Sequence, residues 1–355
     1  MDKERIEWID ISKGLGMLLV MFGHTNCPAF LGKYIFSFHV PLFFFLSGYV
    51  FSTTKYNKFK NFLHKKANGL LIPYLLFSFI NYFCFLILHF LFVHNIGTHG
   101  LENPEKYMNL YTPLFGQVFG LYGEKFTIHN EPMWFILCLF LTETAFYFIL
   151  KFCANYRQIS IILLISGILG YLYNAYIKFP LPWSLDIVLT ALVFFGIGYI
   201  LKENYIFQKF SHLMNIRYLM LFFILNLLFT MLNHRVDMYH RENGNFLLFY
   251  LAAVAGITMI IILSNLLKKL PVLSFIGINS LIFLSLHEFI VYRGLNFMLR
   301  FVFGREHLQG LMLIIENFAY LILATAVLIS ISHFINKHIP FMIGKKNEKS
   351  DGVVL

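Results

Sequence analysis

Charged residues are scarce in this chain of 355 residues. Asp, Glu, Lys and Arg make up 13% of it and hydrophobic residues make up 58%, whereas an ordinary globular domain carries about 25% charged residues. A single hydrophobic core stops growing at roughly 250–300 residues, so the surplus of apolar surface excludes a soluble protein. Apolar runs of 18 or more residues recur along the whole chain and predict a polytopic membrane protein.

Cysteine is also scarce, and the motifs of several enzyme classes are missing. The four cysteines are scattered through apolar segments without the spacing of a disulfide framework or a metal site. The chain has no Gly-rich phosphate loop, no GxSxG elbow and no HExxH motif, so no metal is expected. The net charge of +10 resides in short connections between apolar runs, which excludes a nucleic-acid surface.

The apolar runs predict an all-α, polytopic helix bundle with about ten transmembrane helices. Each run is long enough to cross about 30 Å of hydrocarbon at about 1.5 Å per residue. We expect residues 1–340 to form the membrane-embedded domain and residues 341–355 to form a short basic cytoplasmic tail. The predicted helices are 11–30, 33–53, 70–94, 132–152, 159–177, 184–201, 217–233, 246–266, 272–292 and 311–335.

The distribution of Lys and Arg predicts the orientation of the bundle. An even number of spans places both termini on one side of the bilayer, and that side holds 19 of the 28 Lys and Arg residues. Because cytoplasmic connections carry the excess of basic residues, both termini are predicted to be cytoplasmic. The basic isoelectric point follows from this bias, and the expected location is the plasma membrane, specifically a bacterial cytoplasmic membrane.

The first predicted helix carries ionisable groups at both ends. Lys13 and His24 are eleven positions apart, so they lie within about 20° of one helix face and about 16 Å apart along the axis. Asp10 extends the same stripe and is a further catalytic candidate. A stripe of this kind is expected to face the bundle interior or an aqueous cavity. It fits either a functional site or an interfacial Asp10–Lys13 pair combined with a hydrogen-bonded core histidine.

The second predicted helix contains His39 beside Pro41. Proline removes a backbone donor, so a kink is expected at Pro41. His39 is equally compatible with a structural and a functional role. Ser47 and Gly48 are small residues that allow another helix to approach closely.

At this point the chain resembles the integral-membrane acyltransferase 3 family, which includes bacterial sugar O-acetyltransferases. The family's first helix carries Arg or Lys, ten intervening residues and a His, and Lys13 and His24 have that separation. The Lys13-Gly14 form looks most like the subgroup related to fucose 4-O-acetylases. The other segments that resemble the family, in the same order, are Phe38–Gly48, Leu71–Tyr74, Pro132–Leu137, Asn279-Ser280 and Leu286-His287.

The resemblance implies transfer of an acyl group, usually acetyl from cytoplasmic acetyl-coenzyme A, to a carbohydrate or lipid-linked glycan. Lys13 would then hold the donor phosphates and His24 would act either as general base or as an acyl-accepting nucleophile. Many family members carry Arg-x-x-Arg in the loop after the second helix, whereas this chain has Lys65 and Lys66 without that spacing. These lysines are candidates for donor binding or for plain anchoring near anionic lipid.

Three further residues are candidates for the functional site, and each of them also fits a purely structural role. Glu143, within an apolar helix, would orient His24 in catalysis or form a packing hydrogen bond. Trp134 would line a substrate path, as His39 and Ser47 would, or belong to the interfacial aromatic belt. His287, singled out by the resemblance, would contact substrate or bond to Asn279 or Ser280 in the core.

Two other functions are compatible with part of this pattern. A transporter or flippase of a glycan intermediate would also use buried charges and about ten helices. An acyltransferase with a peptide, an amino acid or another small molecule as acceptor would use the same donor site.

Overall fold

The structure of the protein, a computed structural model, describes residues 6–25, 27–54, 56, 58–93, 109–123, 126–177, 179–303 and 310–345. Within these ranges the regular secondary structure is helical, apart from one isolated β-bridge between Asp237 and Glu242. The predicted all-α class is confirmed. Residues 346–355, most of the predicted tail, lie outside the described ranges.

The described helices follow in chain order. The α-helices are α1 (Glu7–Gly23), α2 (Ala29–Phe36), α3 (His39–Val50), α4 (Phe59–Lys66), α5 (Ile72–Val93), α6 (Tyr111–Phe119), α7 (Trp134–Phe152), α8 (Tyr156–Leu172), α9 (Leu185–Glu203), α10 (Ile206–Lys209), α11 (Ile216–Leu232), α12 (Phe246–Leu267), α13 (Pro271–Ile278), α14 (Ser280–Leu286), α15 (Arg293–Phe303) and α16 (Gly310–His338). The π-helices are Ala67–Leu71, Tyr173–Ile177 and His287–Tyr292, and the 3₁₀-helices are Glu131–Met133, Pro182–Ser184, Ser211–Leu213 and Pro340–Ile343.

Seven helical stretches in the described ranges are long and apolar enough to cross a bilayer, and one of them, Ala29–Val50, combines α2 with α3. An eighth candidate is the pair Pro271–Ile278 and Ser280–Met298, which is bent by 68°. α1 and α11 have 17 residues each, or roughly 26 Å, slightly less than the hydrocarbon thickness of about 30 Å. The count of ten spans and the cytoplasmic termini remain predictions.

The predicted second helix, 33–53, is interrupted, and the predicted kink at Pro41 is wrong. The break lies at Phe38, whose φ of −146° and ψ of −15° are not helical, and α3 begins at His39. Pro41 is therefore the third residue of α3. Proline costs no hydrogen bond there, because the first four N–H groups of a helix have no intrahelical partner.

Two other predicted helices, and one stretch between predicted helices, also differ from the structure. The first helix ends at Gly23 instead of residue 30, because Pro28 disfavours a helical conformation at the residue before it. The ninth, 272–292, is broken at Asn279, whose side chain donates to the Phe275 carbonyl oxygen at 2.8 Å. Helix α6 lies in a stretch where hydropathy predicts no span.

Close contacts through glycine fix the helices that surround the site. Gly48 on α3 lies against the backbone of Phe195 on α9, so a side chain at position 48 would overlap the Phe195 carbonyl. The predicted close approach at Ser47-Gly48 is thus confirmed. Gly277 on α13 lies against the carbonyl of Asp10 in the same way, which holds α13 directly on α1.

Candidate active site

A cavity of about 190 Å³ lies between α1, α3, α7 and α14. Most of its lining is apolar, and the exceptions are Lys13, His24, His39, Ser47, Trp134 and Ser280. Lys13 and His24 both line the cavity, so the prediction that they share one inward face of the first helix is confirmed. Their separation along α1 is about 16 Å, which allows an extended ligand to contact both.

His24 directly follows Gly23, the last residue of α1, and caps the C-terminus of this helix. Its backbone N–H donates to the carbonyl oxygens of the preceding turn, and its ring lies 5.1 Å from the ring of His287 and 6.5 Å from that of Phe36. Glu131 and Asp237 are the carboxylates that act electrostatically on it. A neutral imidazole at this position is suited to accept a proton, and the two carboxylates would stabilise the resulting cation.

His39 lines the cavity from the first residue of α3. Its Nδ1 lies 2.8 Å from the carbonyl oxygen of Ile35, so Nδ1 is assigned as the N–H donor and Nε2 as an acceptor. The ring also packs on Phe36 at 4.8 Å. Ser47 lies about 12 Å further along α3, and it lines the same cavity.

His287 is fully buried behind His24 and is not among the residues that line the cavity. Its Nδ1 lies 2.9 and 3.0 Å from the carbonyl oxygens of Phe283 and Leu284. The predicted core alternative, a bond to Asn279 or Ser280, is therefore wrong. A π-helix begins at His287, and the Nδ1 hydrogen bond goes to the backbone carbonyls of the preceding helical turn.

Lys66 and Glu143 form an ion pair at the Lys13 end of the site. Lys66 Nζ lies 2.6 Å from Glu143 Oε1, and the side chains are 22% and 7% exposed. Lys13 also acts electrostatically on this carboxylate. Lys65 is exposed, with its ammonium group 5.8 Å from the ring centre of Tyr56. Lys13 is thus the lysine that lines the cavity, and the Lys66–Glu143 pair lies close to it.

The two carboxylates predicted to be catalytic, Glu143 and Asp10, lie near Lys13 and far from His24. Glu143 has Lys66 as its hydrogen-bond partner. Asp10 precedes Lys13 by one helical turn, which places it about 21 Å from His24 along α1. Both carboxylates therefore lie near lysines, and the charges that act on His24 are those of Glu131 and Asp237.

Trp134 opens α7 and is only 8% exposed. Its ring centre lies 6.0 Å from that of Tyr239, and the indole lines the cavity. A side chain that is buried in this way does not face lipid, so Trp134 does not belong to the interfacial aromatic belt. Trp134 thus lies between the cavity and Tyr239, which belongs to the loop between α11 and α12.

That connection carries an ion pair that sequence reasoning missed. His240 Nδ1 lies 2.9 Å from Asp237 Oδ2. The hydrogen bond from Asp237 raises the pKa of His240 above its usual value, although partial burial opposes this. Burial alone would raise the pKa of Asp237, but the bond with His240 lowers it below its usual range. Both groups are therefore charged near pH 6.

A second missed cluster joins two connections to the first turn of α9. The Tyr122 hydroxyl donates to Asp186 Oδ2, while Arg241 Nη1 donates to the Tyr122 oxygen at 2.8 Å and lies 3.8 Å from Asp186. Asp186 falls inside a predicted apolar helix, so the signal that singled out Glu143 was present here too. Tyr122 and Arg241 lie in connections, where the sequence offers no such signal.

The family comparison is consistent with this geometry. The model of the acyltransferase domain family, acyltransferase 3, matches residues 6–333. The chain belongs to the acyltransferase 3 family. No significant match occurs among curated proteins or among solved structures. As a member of this family the protein is a membrane acyltransferase, and the match includes every segment that lines the cavity. Membership favours acyl transfer over the transport of a glycan intermediate.

Proposed function

We propose that the protein transfers an acetyl group from cytoplasmic acetyl-coenzyme A to a hydroxyl of a cell-surface carbohydrate or its lipid-linked precursor. The observation that carries the proposal is the single cavity that Lys13 and His24 both line. It supports a donor that is held by charge at one end and reacts at the other. The carbohydrate acceptor rests on the resemblance to sugar O-acetyltransferases.

The lysine end of the cavity suits the nucleotide of the donor. Lys13, Lys65 and Lys66 offer ammonium groups for phosphate, and the basic bias of the connections on this side favours a cytoplasmic position. The lining between Lys13 and His24 is largely apolar, which suits the extended pantetheine arm. The arm would bring the thioester to His24 without burying the charged nucleotide.

His24 then supports direct transfer as general base. It accepts the proton of the acceptor hydroxyl while the hydroxyl oxygen attacks the thioester carbonyl carbon. The carbon–sulfur bond breaks, and the thiolate takes the proton back from His24, which yields an ester and the free thiol of coenzyme A. General-base assistance of this kind contributes about 10²–10⁴-fold in rate.

The remaining polar lining residues are placed to hold the acceptor and the acyl group. His39 and Ser47 offer hydrogen-bonding atoms along the cavity, and Trp134 beside Tyr239 offers aromatic faces on which a sugar ring can stack. Glu143 holds Lys66 at the donor end, and Asp10 lies one turn from Lys13.

The test is coenzyme A release by the purified full-length protein in lipid nanodiscs. Acetyl-coenzyme A is supplied with and without a membrane glycan extract, and free thiol is measured for the wild type, His24→Ala, Lys13→Ala and the exposed-residue control His212→Ala. We expect extract-stimulated release by the wild type and the control, at least about 10²-fold less with His24→Ala, and a raised KM for the donor with Lys13→Ala.

Two results would overturn the proposal. Thiol release that persists in folded His24→Ala protein removes His24 from the chemistry. Saturable donor binding that is unchanged in Lys13→Ala removes the phosphate role of Lys13. Mass spectrometry of the extract after the reaction identifies the acceptor, and an acetylated peptide or amino acid would replace the carbohydrate.

A further inference from the structure

His287 carries a buried acceptor atom that the proposed chemistry does not yet use. Its Nδ1 faces two backbone carbonyl oxygens, which only accept, so Nδ1 carries the proton of the neutral ring. Nε2 is therefore a bare acceptor, and within the described ranges it is buried without a hydrogen-bond partner. Buried polar atoms are nearly always paired in proteins, so this atom calls for a donor.

The ring next to this atom is that of His24. The two ring centres are 5.1 Å apart and the rings are inclined by 72°. A ring nitrogen lies about 1.2 Å from its ring centre, and an N–H···N bond is about 3 Å long, so two imidazoles joined by one bond have centres at most about 5.4 Å apart. The observed separation of 5.1 Å lies within that reach, so the bond forms if a nitrogen of the His24 ring turns toward Nε2 of His287.

The surrounding contacts hold the His287 ring beside the His24 ring. The hydroxyl of Tyr292, in the same π-helix, donates to the carbonyl oxygen of Met21 at 2.8 Å and so fastens this π-helix to α1. The ring of Tyr292 also contacts His287, with centres 5.9 Å apart. Because its hydroxyl proton is already used, Tyr292 is not the missing donor. Of the two rings that contact His287, those of Tyr292 and His24, His24 is the one left with an N–H to offer.

We propose that His287 is a positioning residue that accepts a hydrogen bond from one ring nitrogen of His24, so that the other, unprotonated nitrogen faces the acceptor hydroxyl. The inference rests on the proposed role of His24 as general base. A histidine base works only in the tautomer whose bare nitrogen faces the substrate, and the bond made by the other nitrogen selects that tautomer. Glu131 and Asp237 add charge that favours the imidazolium once the proton is taken up.

The neighbouring histidine gives a contrast that defines this role. His39 has the same Nδ1 bond to a backbone carbonyl, but it lines the cavity, so it is placed to contact a ligand directly. His287 lies behind His24, and its Nε2 is closed to the cavity. His287 therefore acts on the reaction through His24 instead of touching the substrate.

The test compares His287→Met with His287→Gln. Methionine fills similar volume without a strong acceptor, whereas the glutamine amide oxygen reaches about as far as Nε2 and restores one. We expect His287→Met to lower kcat about ten- to a hundred-fold with the KM for acetyl-coenzyme A unchanged, since part of the general-base contribution of about 10²–10⁴-fold is lost. His287→Gln is expected to recover most of this loss, and the exposed control His212→Met to show none.

The tautomer of His24 provides a readout that is independent of activity. Nitrogen-15 NMR of histidine-labelled protein, with His24 assigned by difference from His24→Gln, is expected to show one tautomer in the wild type and a mixture in His287→Met. The same tautomer in both proteins, or a kcat within about two-fold of wild type for His287→Met, would overturn the inference. A wild type that releases no thiol would instead refute the proposed function and leave the NMR result to stand on its own.

Discussion

Removing either partner of the Lys66–Glu143 pair is expected to destabilise the protein by unequal amounts. The two side chains touch at 2.6 Å, but they differ in access to solvent, with Lys66 22% exposed and Glu143 7% exposed. In Glu143→Leu the lysine is able to turn its ammonium group toward solvent. In Lys66→Met the carboxylate keeps Lys13 as an electrostatic neighbour but loses its hydrogen-bonded partner inside the protein.

The magnitudes follow from the difference between exposed and buried ion pairs. Exposed pairs contribute about 0.2–1 kcal/mol, whereas breaking a buried pair costs about 3–5 kcal/mol. We therefore expect Glu143→Leu to lower the free energy of unfolding by about 1 kcal/mol and Lys66→Met to lower it by about 3 kcal/mol. The double variant is expected to lose only about 1–2 kcal/mol, because an apolar pair replaces a buried ionic one without leaving a charge behind.

The assay is unfolding in mixed detergent micelles, followed by far-ultraviolet circular dichroism as the fraction of dodecyl sulfate rises. The four proteins of the cycle give a coupling energy of about 2–3 kcal/mol if the pair acts as described. Equal losses for the two single variants would refute the assignment of Glu143 as the less solvated partner. Losses that simply add in the double variant would refute the coupling between the two residues. Lys65→Met, which removes an exposed lysine next in sequence, is the control and is expected to change stability by less than about 0.5 kcal/mol.

Gly277→Ala is expected to cost about 1–3 kcal/mol in the same assay, because the new Cβ would overlap the α1 backbone, whereas Gly294→Ala, which has open space around it, should not destabilise. The Asp237–His240 pair should stabilise the protein most between about pH 4 and 6.5, since the His240 contribution is lost as pH rises through a raised pKa and the Asp237 contribution is lost as pH falls through a lowered one. The gap in melting temperature between wild type and Asp237→Asn should therefore be widest near pH 5 and narrower at pH 9, and a constant gap would contradict this. A cysteine placed at Asn103, outside the described residues, should react from outside intact cells with an impermeant thiol reagent in a Cys-free background, and failure would contradict cytoplasmic termini.

The sequence by itself determined the helical class and the relation between Lys13 and His24. Both follow from local regularities, because an apolar run long enough to span lipid needs no partner to be recognised and two positions on one helix have a fixed angular relation. The break at Phe38 was beyond that reasoning, since Pro41 is the visible breaker and its effect depends on where the helix begins.

Only the tertiary structure decided which groups meet at the two ends of the cavity. Lys66 and Glu143 are 77 residues apart in the chain, and the ring that faces His24 is carried by a π-helix near the other end of the sequence. Contacts of this kind depend on how close two helices approach and how each is rotated, and glycines such as Gly277 set the approach through backbone contacts. No periodicity within a single helix encodes that distance, so Glu143 was matched to the wrong end of the site and His287 to the wrong partner.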